Sequence, residues 1–206
     1  MLETKEQYTF SLWLRVALTI FCLIFIVTYW HERGPENFLW LSDIALFQLV
    51  IASWLASSFL LSMATVGVLF FEIFWNADFF FKLIFDVHLF GWNATAYMFD
   101  KDIPVVIKIL SLSLHLGLPL LMIYMLIKLG YHPRAWKAQA VVLLILLPVC
   151  YFFTDPLDNI NWVFGMASLQ SIMSGWLYLL LQMFLVPLVV YLPTHLVLSR
   201  VFKAKK

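Results

Sequence analysis

Of the chain's 206 residues 64% are apolar and 12% charged, where an ordinary soluble domain carries about a quarter charged residues. No soluble core conceals that much apolar surface. At roughly 20 residues per crossing the length is used up by membrane spans, leaving one transmembrane domain over 1–206 and no room for a soluble one. The net charge of +1 conceals a segregation, because Arg200, Lys203, Lys205 and Lys206 close the chain while Asp155 and Asp158 mark an acidic loop. A basic tail next to a membrane helix reads as an orientation signal and not as a nucleic-acid surface.

In chain order, apolar runs predict spans from Phe10 to Trp30, Leu39 to Ala56, Phe59 to Trp75 or beyond, Pro104 to Ile127, Ala138 to Phe153 and Ser171 to Leu198. The fold class is therefore all-α, a polytopic transmembrane helix bundle of six spans. The first run is too long for a signal peptide's apolar region and no small-residue cleavage pattern follows it. His31 to Asn37, with Gly34 and Pro35, and Lys128 to Arg134, with Gly130 and Pro133, read as turns between antiparallel helices. Cys22 and Cys150 sit inside apolar runs and read as two buried thiols.

Asp78 to Phe99 is aromatic, but Lys82, Asp86 and His88 fall where a seventh span would have its middle. Unpaired charge there costs about 3 kcal/mol per residue. The first part is expected to prolong the third helix. The rest of the stretch near 85–100, through Gly91, Asn93 and Asp100, is expected to form an interfacial or re-entrant segment, with a seventh span as the alternative. Asn93-Ala94-Thr95 matches a glycosylation sequon, a pattern short enough to arise by chance.

With six spans Lys5, Arg15, Lys128, Arg134, Lys137, Arg200, Lys203, Lys205 and Lys206 share one side, and Arg33, Lys82, Lys101 and Lys108 the other. Positive residues stay inside, so the reading is a multi-pass cell-membrane protein with a cytoplasmic C-terminus. The seven-span alternative has the same tally and the same inner C-terminus.

The outer half then gathers Asp43, Glu72, Asn76, Asp78, Asp86, Asp100, Asp102, Asp155, Asp158, Asn159 and Asn161. Glu72 and Asn76 are four apart on one helix face. A carboxylate at that depth needs a partner or a wet cavity, so Glu72 reads either as interhelical glue or as part of a site. His115 lies mid-span, Ser111 one turn before and Pro119 one turn after. It fits a general base or proton relay, or a structural histidine bonded to a carbonyl that Pro119 opens. It has no His or Cys four residues on, and no metal or cofactor is expected. The run Thr154 to Trp162 reads as a solvated turn or an oxygen-rich cation loop, without an EF-hand's invariant Gly and closing Glu. His195, between Pro193 and the basic end, reads mainly as part of a kinked helix. G-x-S-x-G, Walker A, Rossmann and H-E-x-x-H patterns are absent from the sequence.

Phe74-Trp75, then Asp102-Ile103-Pro104, His115, Pro119 and later Trp162-Val163-Phe164 make the chain similar to the androgen-induced family of intramembrane lipid hydrolases. That resemblance implies a multi-helix fold and hydrolysis of fatty-acid esters of hydroxy fatty acids by a threonine and a histidine. His115 matches the histidine; at the threonine position this sequence reads Trp40, with Ser42 two residues away. Three functions are carried forward. The first is an intramembrane hydrolase or acyl-transfer enzyme on a lipid ester, with Ser42 as nucleophile, His115 as base and Asp43 or Glu72 orienting it. The second is a small-solute or proton-coupled transporter using Glu72, His115 and Gln182. The third is a non-catalytic membrane subunit or scaffold. Membrane lipid is the expected partner in each.

Overall fold

The computed structural model describes residues 10–89, 93–165 and 172–203. Its helices are α1 (Leu12–Arg33), α2 (Leu41–Leu55), α3 (Ser58–Phe85), the short α4 (Ala96–Phe99), α5 (Val105–Leu129), α6 (Ala135–Phe153) and α7 (Gly175–Val201). Among the described residues the secondary structure is helical throughout, as the apolar periodicity predicts. Five helices, α1, α3, α5, α6 and α7, are long and apolar enough to cross a membrane. The expected start of the last span, Ser171, lies outside the described residues, as do Lys5, Lys205, Lys206 and Gly91.

The expectation of six full-length spans is narrowed at α2. Its 15 residues rise about 22 Å at 1.5 Å each, short of the roughly 30 Å hydrocarbon layer. The 3-10 turn Pro35–Leu39 precedes it. It still runs end to end through the bundle: Arg15, near the start of α1, lies over the Trp54 ring near its end, while Asn37 bonds Asp43 near its start. Among the described residues no helix corresponds to a seventh span: α3 continues as one helix to Phe85, where Asp86 takes a left-handed conformation and bonds Lys82.

Each helix end has a local cause. Ser11, Ser57 and Ser174 accept backbone N–H groups of α1, α3 and α7 with their side chains. Gly34 (φ 82) and Gly130 (φ 75) terminate α1 and α5 in a backbone region that favours glycine. Pro187, within α7, withholds a backbone N–H, and Val186–Tyr191 widens into a π-helical turn.

Helix α3 is the axis of the bundle and packs against α2, α5 and α6. In its apolar stretch 61% of residues are buried, against 17–33% in the other long helices, which turn a wide face outward. Small residues permit this. Ser62, Ala64 and Thr65 are fully buried, and Gly67 lies so near the Gln139 side chain that an added Cβ would stand 2.6 Å from Nε2. Helices α1, α3 and α6 run one way and α2, α5 and α7 the other. One end is closed by Tyr131, whose N–H donates to the Phe202 carbonyl and whose hydroxyl meets His195 Nδ1 at 3.0 Å. That contact is where the structure places His195.

Gly67→Ala is expected to lower unfolding stability in detergent by about 1–3 kcal/mol through overpacking. Gly117→Ala, where an added Cβ meets nothing within 4 Å, should leave stability unchanged or raise it by up to about 1 kcal/mol. Thermal unfolding followed by thiol-dye access to Cys22 and Cys150, both buried, measures the difference.

Candidate active site

At the end opposite Tyr131, the ends of α1, α2, α3 and α5 meet α4 and the 154–165 loop around a cavity of about 340 Å³. Ser42, Asp43, His115 and Asp158 line it together. The sequence placed Asp43 and Asp158 in the outer half and His115 mid-span; tertiary packing brings them and Ser42 to one space.

His115 is fixed on three sides. Its Nδ1 lies 2.7 Å from Glu72 Oε2 of α3, a carboxylate only 2% exposed. A carboxylate there accepts the Nδ1 proton and leaves the lone pair on Nε2. Nε2 makes no hydrogen bond among the described residues, and the side chain lines the cavity. Trp75, one turn beyond Glu72, stacks on the imidazole at 4.1 Å between centroids and 18° between planes.

The third support is a consequence of Pro119. A proline has no N–H for the carbonyl four residues earlier, which here belongs to His115. Asn76 fills the gap, its Nδ2 donating to the His115 carbonyl at 2.7 Å and to the Glu72 carbonyl at 2.8 Å. Asn76 therefore acts on the histidine through the backbone. Of the two carboxylates expected to orient the imidazole, Glu72 does so. Asp43, 3% exposed, instead accepts from Asn37 Nδ2 at 2.9 Å, with the Ser42 side chain beside it.

The remaining polar residues separate by role. Asn161 clamps the entry to α2, its Nδ2 donating to the Leu39 carbonyl at 2.7 Å and its Oδ1 accepting from the Leu41 N–H at 2.9 Å. It thus caps a helix whose own N-cap, Trp40, has no side chain able to do so. Gln182 donates to the Asn161 carbonyl at 2.6 Å, which draws it away from the path with His115 that the transporter reading gave it. Asn159 ties the loop to itself through Phe164 N–H and the Gly165 carbonyl. Asp155 is exposed and accepts the Leu157 N–H, a turn contact outside the cavity. Asp158 alone of the loop's carboxylates faces the cavity.

Asp78 organises the segment after α3. Fully buried, it accepts from Leu89 N–H, Thr95 N–H and the Thr95 hydroxyl, and meets His88 Nδ1 at 3.0 Å. The stretch near 85–100 thus folds back onto α3, and the sequon's Thr95 is fully buried in this contact. The fold-back carries Tyr97 to the cavity, where its hydroxyl bonds Ser111. Burial pushes the Tyr97 phenol up to about 12, so it keeps its proton at neutral pH.

Sequence reasoning did not find Tyr29, Arg33, Trp75 or Tyr97, which also line the cavity. A signal existed for three of them: Tyr29 and Arg33 share a face of α1 with Phe25, and Trp75 stands three residues after Glu72. Tyr97 had none. Among the described residues no three His, Cys, Asp or Glu side chains gather as metal ligands. No family model, curated protein or solved structure matches the chain.

Asn76→Ala should cost about 1–3 kcal/mol by stranding the buried His115 carbonyl. Pro119→Ala returns the missing N–H, so the double variant Asn76→Ala/Pro119→Ala is expected to lose less than the sum of the single changes. A double-mutant cycle on unfolding in detergent measures the coupling; strict additivity would remove the link between Pro119 and Asn76.

Proposed function

We propose that this chain is an intramembrane hydrolase or acyl-transfer enzyme acting on a lipid ester. One observation carries the reading: an imidazole held by a buried carboxylate lines a cavity that also contains a serine hydroxyl. Nucleophilic acyl transfer needs that combination, because a serine hydroxyl is a weak nucleophile until a positioned base takes its proton. The resemblance to the androgen-induced family points to the same chemistry, with Ser42 two residues from the position of the family's threonine.

His115 Nε2 removes the Ser42 proton as Oγ bonds to the ester carbonyl carbon. Glu72 stabilises the imidazolium that results. The carbonyl oxygen gains the negative charge, and the hydrogen-bonded Ser111–Tyr97 hydroxyl pair in the same cavity has one O–H left to donate to it. Collapse expels the alcohol, which takes its proton from His115. Water, or a second alcohol, then attacks the acyl-serine with the same base and releases the acid or the new ester.

A long-chain fluorophosphonate, applied to the purified protein in neutral detergent, is expected to label the wild type. Ser42→Ala and His115→Ala should reduce the labelling rate by about 10²-fold or more, and Glu72→Gln, which keeps a hydrogen bond to Nδ1, by a smaller factor. Equal labelling of wild type and all three variants would falsify the assignment.

For orientation, we propose a cell-membrane protein with the cavity outward and the C-terminus in the cytoplasm. The support is the positive-inside rule: Arg15, Lys128, Arg134, Lys137, Arg200 and Lys203 cluster at the closed end, and the described carboxylates lie toward the cavity end. Leu157 at the cavity end is 93% exposed. A Leu157→Cys variant should react with an impermeant maleimide in intact cells, and reaction only after permeabilisation would invert the orientation.

A further inference from the structure

We propose that the cavity recognises a cationic, choline-type ammonium headgroup, so that the lipid ester of the preceding section is a zwitterionic phospholipid; this rests on that reading of the same site. Three features of the cavity converge on this class of ligand.

The first is its walls. Trp40 and Trp162 meet at 71° between planes with centroids 6.4 Å apart, forming a corner of two indoles. Tyr29 and Tyr97 line the same space from α1 and α4. A quaternary ammonium cannot donate a conventional N–H hydrogen bond and is held by the negative faces of aromatic rings. Trp75 is left out of this set because His115 already covers it. Trp162 has a left-handed backbone (φ 59), as do Asn159 and Asn161 before it. A bulky residue rarely adopts that conformation without a surrounding structure that demands it, and here the Asn161 and Asn159 hydrogen bonds hold the loop that aims the indole.

The second is charge. Asp158 lines the cavity from its exposed loop and the buried Asp43 carboxyl lines it from α2, with Glu72 behind His115. A wall of carboxyl groups disfavours an anionic headgroup and suits an ammonium. The one guanidinium lining the cavity is Arg33, the last residue of α1 and exposed. It suits the phosphate that follows an ammonium in a zwitterionic headgroup.

The third is volume. A cavity of about 340 Å³ is at the small end of small-molecule sites, the scale of a headgroup and its adjoining ester and not of a whole lipid. It cannot also hold a long acyl chain, which is left for the bilayer.

The test is binding to the purified protein in neutral detergent, followed by tryptophan fluorescence, with lysophosphatidylcholine and lysophosphatidylglycerol of equal chain length. The choline lipid is expected to bind about tenfold more tightly or better, roughly the worth of one or two cation–π contacts. Asp158→Asn, at an exposed loop position, and Trp162→Ala should each cut that preference to under about threefold, while Trp162→Phe keeps it. Displacement by millimolar tetramethylammonium would show that a free cation suffices; retention of the lipid against it would assign the source to the membrane. Both support ammonium recognition. Equal affinity for the two lipids, or an unchanged preference in Asp158→Asn and Trp162→Ala alike, overturns it. The wild type separates the two proposals: a choline preference in a protein that fluorophosphonate never labels leaves the ligand class standing and removes the hydrolase.

Discussion

The hydrogen bond between Glu72 and His115 joins the central helix to α5, with the carboxylate buried and the imidazole lining the cavity. Hydrocarbon does not solvate polar groups, so each must find its partner inside the protein. Once Pro119 removes one backbone bond from α5, the His115 carbonyl needs a donor, and Asn76 on α3 provides it. Side chain and main chain of one histidine are thus both fastened to the same neighbouring helix. The result is an imidazole with one nitrogen occupied and the other free of bonds among the described residues. The bond that fastens α3 to α5 is the same one that holds this imidazole in the cavity wall, so the two readings of Glu72 do not compete.

The same constraint shapes the places where helices stop. At the entrance to α2 the Asn161 amide bonds the backbone on both sides of Trp40. Beyond α3 the Asp78 carboxylate collects backbone and side-chain donors from Leu89 and Thr95. Each uses one buried polar side chain to satisfy backbone that is not helical. Each also holds a cavity wall: Asn161 the Trp40 and Trp162 corner, Asp78 the segment bearing Tyr97. Irregular backbone in a membrane protein is tolerated where it lines a cavity or is buried in protein, and these two clamps stand at such places.

The two ends of the bundle differ accordingly. At the closed end, the short α5–α6 connection is bonded to its neighbours, Tyr131 to His195 and Phe202 and His132 N–H to Ser62, while Gln48 meets Gln139 between α2 and α6. At the cavity end, helices are separated by loops whose side chains face the cavity. Six of the ten described Lys and Arg residues lie at the first end, while Arg33, Lys82, Lys101 and Lys108 share the second with the described carboxylates.

The number and rough position of the long helices were legible in the residues, because hydrocarbon accepts long apolar runs only as hydrogen-bonded helices and that requirement is local. That His115 and Glu72 each called for a partner was legible for the same reason, since polar groups at depth stand out against such a background. The shortness of α2 was not: its apolar run includes the Leu39–Trp40 bend, and hydropathy does not distinguish a bent apolar segment from a straight one. Nor could spacing along the chain choose Glu72 over Asp43 as the partner of His115, separate Asp158 from Asp155, or bring Tyr97 into the site. Those outcomes depend on which helix faces which and on where a loop folds back, and they are fixed by packing between segments dozens of residues apart, about which a one-dimensional pattern of apolar and polar residues carries no information.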